Sequence, residues 1–282
     1  MSKRNPYPHG PGQPKSGLSS KDCIGIALII VAILATAGVG YWYYTASESH
    51  VAYDKGTYCP DSGPYARIAL LIDLTDEMSF IQEQKLRHFI QSLSDESRED
   101  SVPQHAMLSV YLLSENDASA IPTPVIEVCN PGNGEGINEF TGNPRLANKR
   151  FTERFLDPID TTIGKIVYTD PAKTSPIIES IRGIAVSNFA EEADPGYEHR
   201  LIVISDMLQN TPKTSHYREG QILEEATLRD LKSDLQFVDR VDIKVIARQK
   251  QERLQGKALV EYWRNYFRES GTNLTTAERW GE

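Results

Sequence analysis

Ile68-Ala69-Leu70-Leu71-Ile72-Asp73-Leu74-Thr75-Asp76-Glu77-Met78-Ser79 is an apolar run that ends on an acid and passes at once into oxygen-bearing side chains. A strand that is apolar on nearly every residue is buried on both faces, as in a parallel sheet covered by helices. The acid at its end is delivered to the carboxyl edge of the sheet, where open α/β sheets bind their ligands. Carboxylates and hydroxyls gathered on one turn can hold a hard cation.

Beyond this run, helical and strand patterns alternate. Over residues 79–93, Phe80, Ile81, Leu86, Phe89, Ile90 and Leu93 form a helical stripe, and Ser79-Phe80-Ile81-Gln82 reads as its capping box. Residues 106–113 and 125–129 predict two strands. The link between them is too short and too unpatterned for a crossover helix, so an antiparallel hairpin is expected. A helical stretch from 144 to 168 is expected to break near Pro158, and another helix covers 176–189. Residues 200–205 form a strand that again ends on an acid, Asp206. A helix over 220–235, a strand over 241–247 and a closing helix over 256–269, with Tyr262, Trp263, Tyr266 and Phe267, complete the pattern. The order predicts an α/β fold: a mostly parallel central sheet with one antiparallel hairpin strand and helices on both faces. It is expected to occupy residues 66–270, with 271–282 as a C-terminal tail.

Upstream, residues 1–22 are rich in Pro, Gly and Ser with basic residues between them, and predict a disordered basic tail. Ile24 to Tyr44 is an uncharged run of 21 residues ending on Tyr41-Trp42-Tyr43-Tyr44. At about 1.5 Å per residue it spans roughly the 30 Å core of a bilayer, and its aromatic end suits the headgroup level. Residues 23–44 are therefore expected to be an uncleaved transmembrane helix, since the run is long and no A-x-A cleavage site follows closely. Basic residues precede the span, which places the N-terminus in the cytoplasm and the C-terminal domain outside, in the periplasm of a Gram-negative cell. Ala32, Thr36 and Gly40 recur every fourth position, the spacing of a helix-pairing face. Residues 45–65 read as a polar tether. Net charge is −9. Setting aside Lys3, Arg4, Lys15, Lys21 and Asp22 leaves the rest of the chain at about −12, an acidity that repels phosphate backbones and argues against a nucleic-acid partner.

The strand ends carry a family resemblance. The order of elements resembles the von Willebrand factor A (VWA) family, whose metal-ion-dependent adhesion site uses a D-x-S-x-S turn after the first strand, a Thr from a later loop, and an Asp after the fourth strand. Asp73-Leu74-Thr75-Asp76-Glu77 matches the first two positions and puts Glu77 where the second Ser stands. Ser175, in Thr174-Ser175-Pro176-Ile177-Ile178-Glu179-Ser180-Ile181, aligns with the loop Thr. Asp206 matches the last position, with Met207 in place of the usual Gly. Tyr262-Trp263-Arg264-Asn265-Tyr266-Phe267 also resembles the last helix of such domains. The chain is similar as well to membrane-anchored bacterial VWA-like proteins with an Asp-x-Thr-Asp turn. The resemblance implies a degenerate site in which Asp73, Thr75, Glu77, Ser175 and Asp206 hold Mg²⁺ or Mn²⁺, with a coordination position left open for a partner's carboxylate.

Three of these residues, Asp73, Ser175 and Asp206, also have a purely structural reading. Ser175-Pro176 suits a helix N-cap followed by Pro at the first helical position, and Asp73 and Asp206 can accept bonds from helix-start N–H groups. Cys59, before the first strand, and Cys129, at the end of the third, are expected to form a disulfide in an extracytoplasmic compartment. No Cys/His pattern with zinc spacing exists. The function expected is a non-enzymatic protein-binding module in a membrane complex. One alternative is a metal-free structural scaffold. Another is a haloacid-dehalogenase-like phosphatase with Asp73 as nucleophile, though the Lys and the paired acid that family needs at a later strand end are missing.

Overall fold

The computed structural model describes residues 20–47, 52–95, 97–98, 100–113, 122–135, 137, 142–166, 172–189, 198–218 and 235–281. The expected tail over 1–22 lies outside them except for its last residues, and the expected helix over 220–235 except for Leu235. The chain divides into two compact units, Met1–Val51 and Ala52–Glu282.

The described residues of the first unit form one helix, α1 (Ser20–Ser47), within which Cys23–Tyr44 is long and apolar enough to cross a membrane, with a mean hydropathy of 2.6. Its large apolar side chains are exposed along the whole span, which in water would be untenable and in lipid is the favourable state. Thr36 donates its hydroxyl to the Ala32 and Ile33 carbonyls at 2.9 and 3.0 Å. Its polar group is thus satisfied within the helix.

The second unit is built on a six-stranded sheet in the order β3-β2-β1-β4-β5-β6. β1 (Arg67–Asp73) lies between β2 (Met107–Leu113) and β4 (Arg200–Ser205) and is parallel to both. β3 (Ile126–Cys129) pairs antiparallel with β2, as the short link demanded. β5 (Arg240–Ile246) is parallel to β4. Along β1, Ala69 and Leu71 join the core on one face and Ile68, Leu70 and Ile72 the core on the other, which is why the strand reads as continuously apolar. The first core is closed by α5 (Ile177–Asn188) and by α6 (Lys257–Glu269) through Trp263, Tyr266 and Phe267. The second is closed by α2 (Phe80–Ser92) and by α3 (Pro144–Phe151) and α4 (Asp157–Ile166).

α2 starts at the expected capping box: the Ser79 N–H donates to Gln82 Oε1 at 3.0 Å and the Gln82 N–H to Ser79 Oγ at 3.4 Å. Between α3 and α4 the chain widens into a π-helical turn over Thr152–Leu156, in which the Asp157 N–H reaches back to the Thr152 carbonyl. Pro158 has no N–H and its ring crowds the preceding turn, so the expected break takes the form of a wider turn rather than an interruption.

One expectation is corrected at the C-terminus. The described residues of the expected 271–282 tail are not a tail. Leu274–Trp280 is a sixth strand, β6, parallel to β5 with a register shift at Val241/Asp242. Five of its seven residues are exposed, so it lacks the apolar signal that marked the inner strands. It is held at its end by Trp280, buried edge-on against Phe89 at 5.7 Å, and by Thr276 donating to Asp242 Oδ1 at 2.7 Å.

Candidate metal centre

From β1 the chain crosses to β2 on one side, while β4 lies on the other side. The direction of winding therefore reverses between β1 and β4, and the carboxyl ends of these two strands border the crevice where doubly wound sheets take ligands. β1 ends on Asp73 and β4 runs into Asp206, so both acids sit at this reversal.

Asp73 is buried and is the hub. Its Oδ1 accepts the Thr75 N–H at 3.0 Å and the Thr75 hydroxyl at 2.6 Å. Its Oδ2 accepts the Ser205 hydroxyl at 2.6 Å and the Ser175 hydroxyl at 3.2 Å. With their protons given to Asp73, the Thr75 and Ser175 oxygens are left as acceptors. Both line an open pocket of about 60 Å³ together with Asp76, Lys173, Asp206 and Tyr217. Asp73 stands behind it. Asp206 is also buried, and its Oδ1 accepts the Leu208 N–H at 2.8 Å. Burial, and then the negative charge of Asp73, raise its carboxyl far above the usual carboxylate range. The Tyr217 phenol is likewise raised, by burial and then by the fields of Asp206 and Asp76. Burial and neighbouring acids thus oppose the ionisation of Asp206 and Tyr217 around one small opening.

The sequence-predicted residues divide here. The structure brings Asp73, Thr75, Ser175 and Asp206 together and leaves the Glu77 side chain exposed and outside the pocket. Asp76, one residue earlier, lines it instead. Ser175 is not the N-cap of α5; that position falls to Pro176, without a side-chain cap. The Ile178 N–H is capped by Gln209 Oε1 at 2.9 Å, from the loop after β4. Ser175 is instead fixed by reciprocal backbone bonds with Asn210, at 2.8 and 2.9 Å, which frees its hydroxyl for Asp73.

No family model matches the chain, and no curated protein matches it. Solved structures do. It is similar to BatB from Bacteroides thetaiotaomicron, a conserved hypothetical protein, at 10% identity and a TM-score of 0.39, covering 77% of this chain and 91% of that one. It is similar to an aerotolerance-related membrane protein from Bacteroides fragilis at 9% identity and a TM-score of 0.36, covering 77% and 92%. It is similar to the human COPII-coat protein Sec24c at 7% identity and a TM-score of 0.35, covering 77% of this chain and 30% of that one.

Two neighbours of the acids had no part in the metal site that the sequence predicted. Ser205 carries no motif of its own, yet it donates to Asp73 and accepts the Met207 N–H at 2.8 Å, so it locks the two strand ends together. Arg248, just past β5, places Nε 3.8 Å from Asp206 Oδ2 and 4.0 Å from Asp76 Oδ2. The only signal for either was position at a strand end.

The donor set fits a hard cation. Two hydroxyl oxygens with committed protons and a carboxylate are oxygen ligands of the kind Mg²⁺ and Mn²⁺ prefer. The pocket also has room for the waters that complete such a shell. Among the described residues, no group of three or more His, Cys, Asp and Glu is placed to hold a metal by itself, so a cation here would need the hydroxyls as well.

Proposed function

We propose that this chain is a single-pass membrane protein whose VWA-like domain binds another protein through a divalent cation. The cation is held directly by Thr75, Ser175 and Asp206, with Asp73 orienting the two hydroxyls from behind. α1 is the anchor, with the N-terminus cytoplasmic and residues 52–282 extracytoplasmic. The observation that carries the reading is that Thr75 and Ser175, a hundred residues apart, both donate their hydroxyl protons to Asp73 beside the Asp206 carboxylate. A cation held by these residues would supply a Lewis-acid centre beside an open pocket, where a partner's carboxylate could bind it. Asp73 itself is poorly disposed to attack phosphorus, because each of its oxygens already accepts hydroxyl bonds, and no reaction is assigned.

The test is the melting temperature of the purified chain with Mg²⁺ or Mn²⁺. At about a hundredfold the dissociation constant, binding to the folded state alone stabilises by about 2.7 kcal/mol. For a domain of this size that corresponds to a rise of roughly 5–10 °C. Asp73→Ala is expected to abolish the rise. A second reading, a metal-free scaffold of a membrane complex, is favoured by one observation: Arg248 already supplies positive charge beside Asp206 and Asp76. No cation-dependent shift in the wild type would select it.

A further inference from the structure

Arg248 is the charged group in ion-pair reach of both pocket acids, and the cation reading leaves it without a role. Its side chain crosses the carboxyl edge of the sheet from the end of β5 to the turn after β1. There it donates to the Glu77 carbonyl and, at 3.3 Å, to the Asp76 carbonyl. Its Nε is buried with no hydrogen-bond partner, facing Asp206 and Asp76 at ion-pair distance. The residue is anchored as well: its N–H donates to Gln255 Oε1 at 2.7 Å, and the Gln255 amide donates to the Asp206 and Ile246 carbonyls at 2.9 and 2.8 Å. One guanidinium is thereby fixed against both acids that line the pocket. It is always charged, and in a site this sheltered its field on a carboxylate about 4 Å away is only partly screened.

A divalent cation approaching Asp206 must share that carboxylate with Arg248 and meets a like charge beside it. The guanidinium is held chiefly by two backbone carbonyls, and its Nε–H points toward the acids without closing a hydrogen bond. Turning away therefore costs it the two carbonyl bonds to the turn but no hydrogen bond to the acids. We propose that Arg248 is an internal counter-cation that competes with the divalent cation for Asp206 and Asp76. Filling of the site is thereby coupled to displacement of the Arg248 head and to release of its hold on the 75–77 turn. The proposal rests on the cation reading above and adds its regulation: affinity for the free ion is kept low, and a partner that draws Arg248 aside raises it.

The experiment is Mn²⁺ titration, read by water-proton relaxation, on the full chain in detergent micelles. Wild type is compared with Arg248→Gln, Arg248→Met and Arg248→Lys, each checked for folding by near-ultraviolet circular dichroism. Removing the charge is expected to tighten Mn²⁺ binding by at least about tenfold, whereas Arg248→Lys stays near the wild-type value. Arg248→Met keeps much of the aliphatic stem and carries the same expectation if Arg248→Gln does not fold. An arm without substitution follows the Arg248 Nε–H resonance of the wild type, which is expected to move on saturation with Mg²⁺. Unchanged or weaker Mn²⁺ binding in a folded neutral variant, or an Arg248 resonance that does not respond to saturating Mg²⁺, overturns the competition and leaves the cation site standing. Absence of saturable Mn²⁺ binding in both wild type and neutral variants overturns the cation site itself and the competition with it.

Discussion

Met207 shows what a single residue carries at this site. It follows Asp206 with φ of 61°, in the left-handed region, and its side chain is fully buried. Its N–H donates to Ser205 Oγ and its carbonyl accepts the Trp263 Nε1–H at 2.9 Å, so the backbone is held there from both sides. Such a conformation costs an L residue about 1–2 kcal/mol, and residues held this way cluster where a structure is positioned for binding. The VWA resemblance expects Gly at this position, and the backbone explains why. Met207→Gly and Met207→Ala both lose a buried side chain, at about 2–5 kcal/mol. Only Ala keeps the strain. Glycine is therefore expected to be the more stable of the two by about 1 kcal/mol in urea denaturation, the reverse of the usual order inside regular structure. Alanine equal to or above glycine would remove the strain argument. The identity of the buried acids was legible because an apolar strand ending on Asp is an unusual pattern. The roles of Ser205 and Arg248 were not, because each depends on a partner from another strand end.

At the scale of elements, the inner strands and the helices with apolar stripes announced themselves, and β6 did not. Leu274-Thr275-Thr276-Ala277-Glu278-Arg279-Trp280 is an edge strand with polar side chains, the composition that keeps a sheet edge from pairing with another chain. Its place is set by long-range contacts: Trp280 on Phe89, and Glu278 bonded to Lys244 at 2.7 Å. Trp280→Ala is expected to lower stability by about 3–5 kcal/mol, measured by urea denaturation. A loss under about 1 kcal/mol, the range of ordinary surface substitutions, would mean that β6 is not part of the cooperative fold. Ser175 gives the complementary lesson. Its sequence neighbours offer a complete local explanation as a cap, yet the helix start is capped by Gln209 from a remote loop.

For the domain as a whole, the disulfide is the long-range constraint. Cys59 and Cys129 are joined across a separation of 70 residues, and the pair packs on Met107. The bridge ties the segment before β1 to the outermost strand, β3, which has only β2 as a sheet neighbour. Closing a loop of that length in the unfolded chain stabilises the fold by about 4 kcal/mol on entropic grounds, with measured values commonly about 2–4 kcal/mol. The double variant Cys59→Ser/Cys129→Ser is expected to lose an amount in that range, read as a lower urea midpoint than that of the oxidised wild type. Equal midpoints would show that the bridge adds nothing to the folded state.

By itself the sequence determined the apolar span, the class of fold, the hairpin, the disulfide partners and the strand ends on which Asp73 and Asp206 lie. All of these follow from local periodicity, composition or the position of a residue along one element. Tertiary structure alone decided which oxygens meet. It released Ser175 from its cap, turned Glu77 away in favour of Asp76, added β6, and brought Ser205 and Arg248 to the acids. The physical reason is that a buried carboxylate must be satisfied by whatever donors the fold brings within about 3 Å. At this site those donors come from segments far apart in the chain, and no local pattern encodes their meeting.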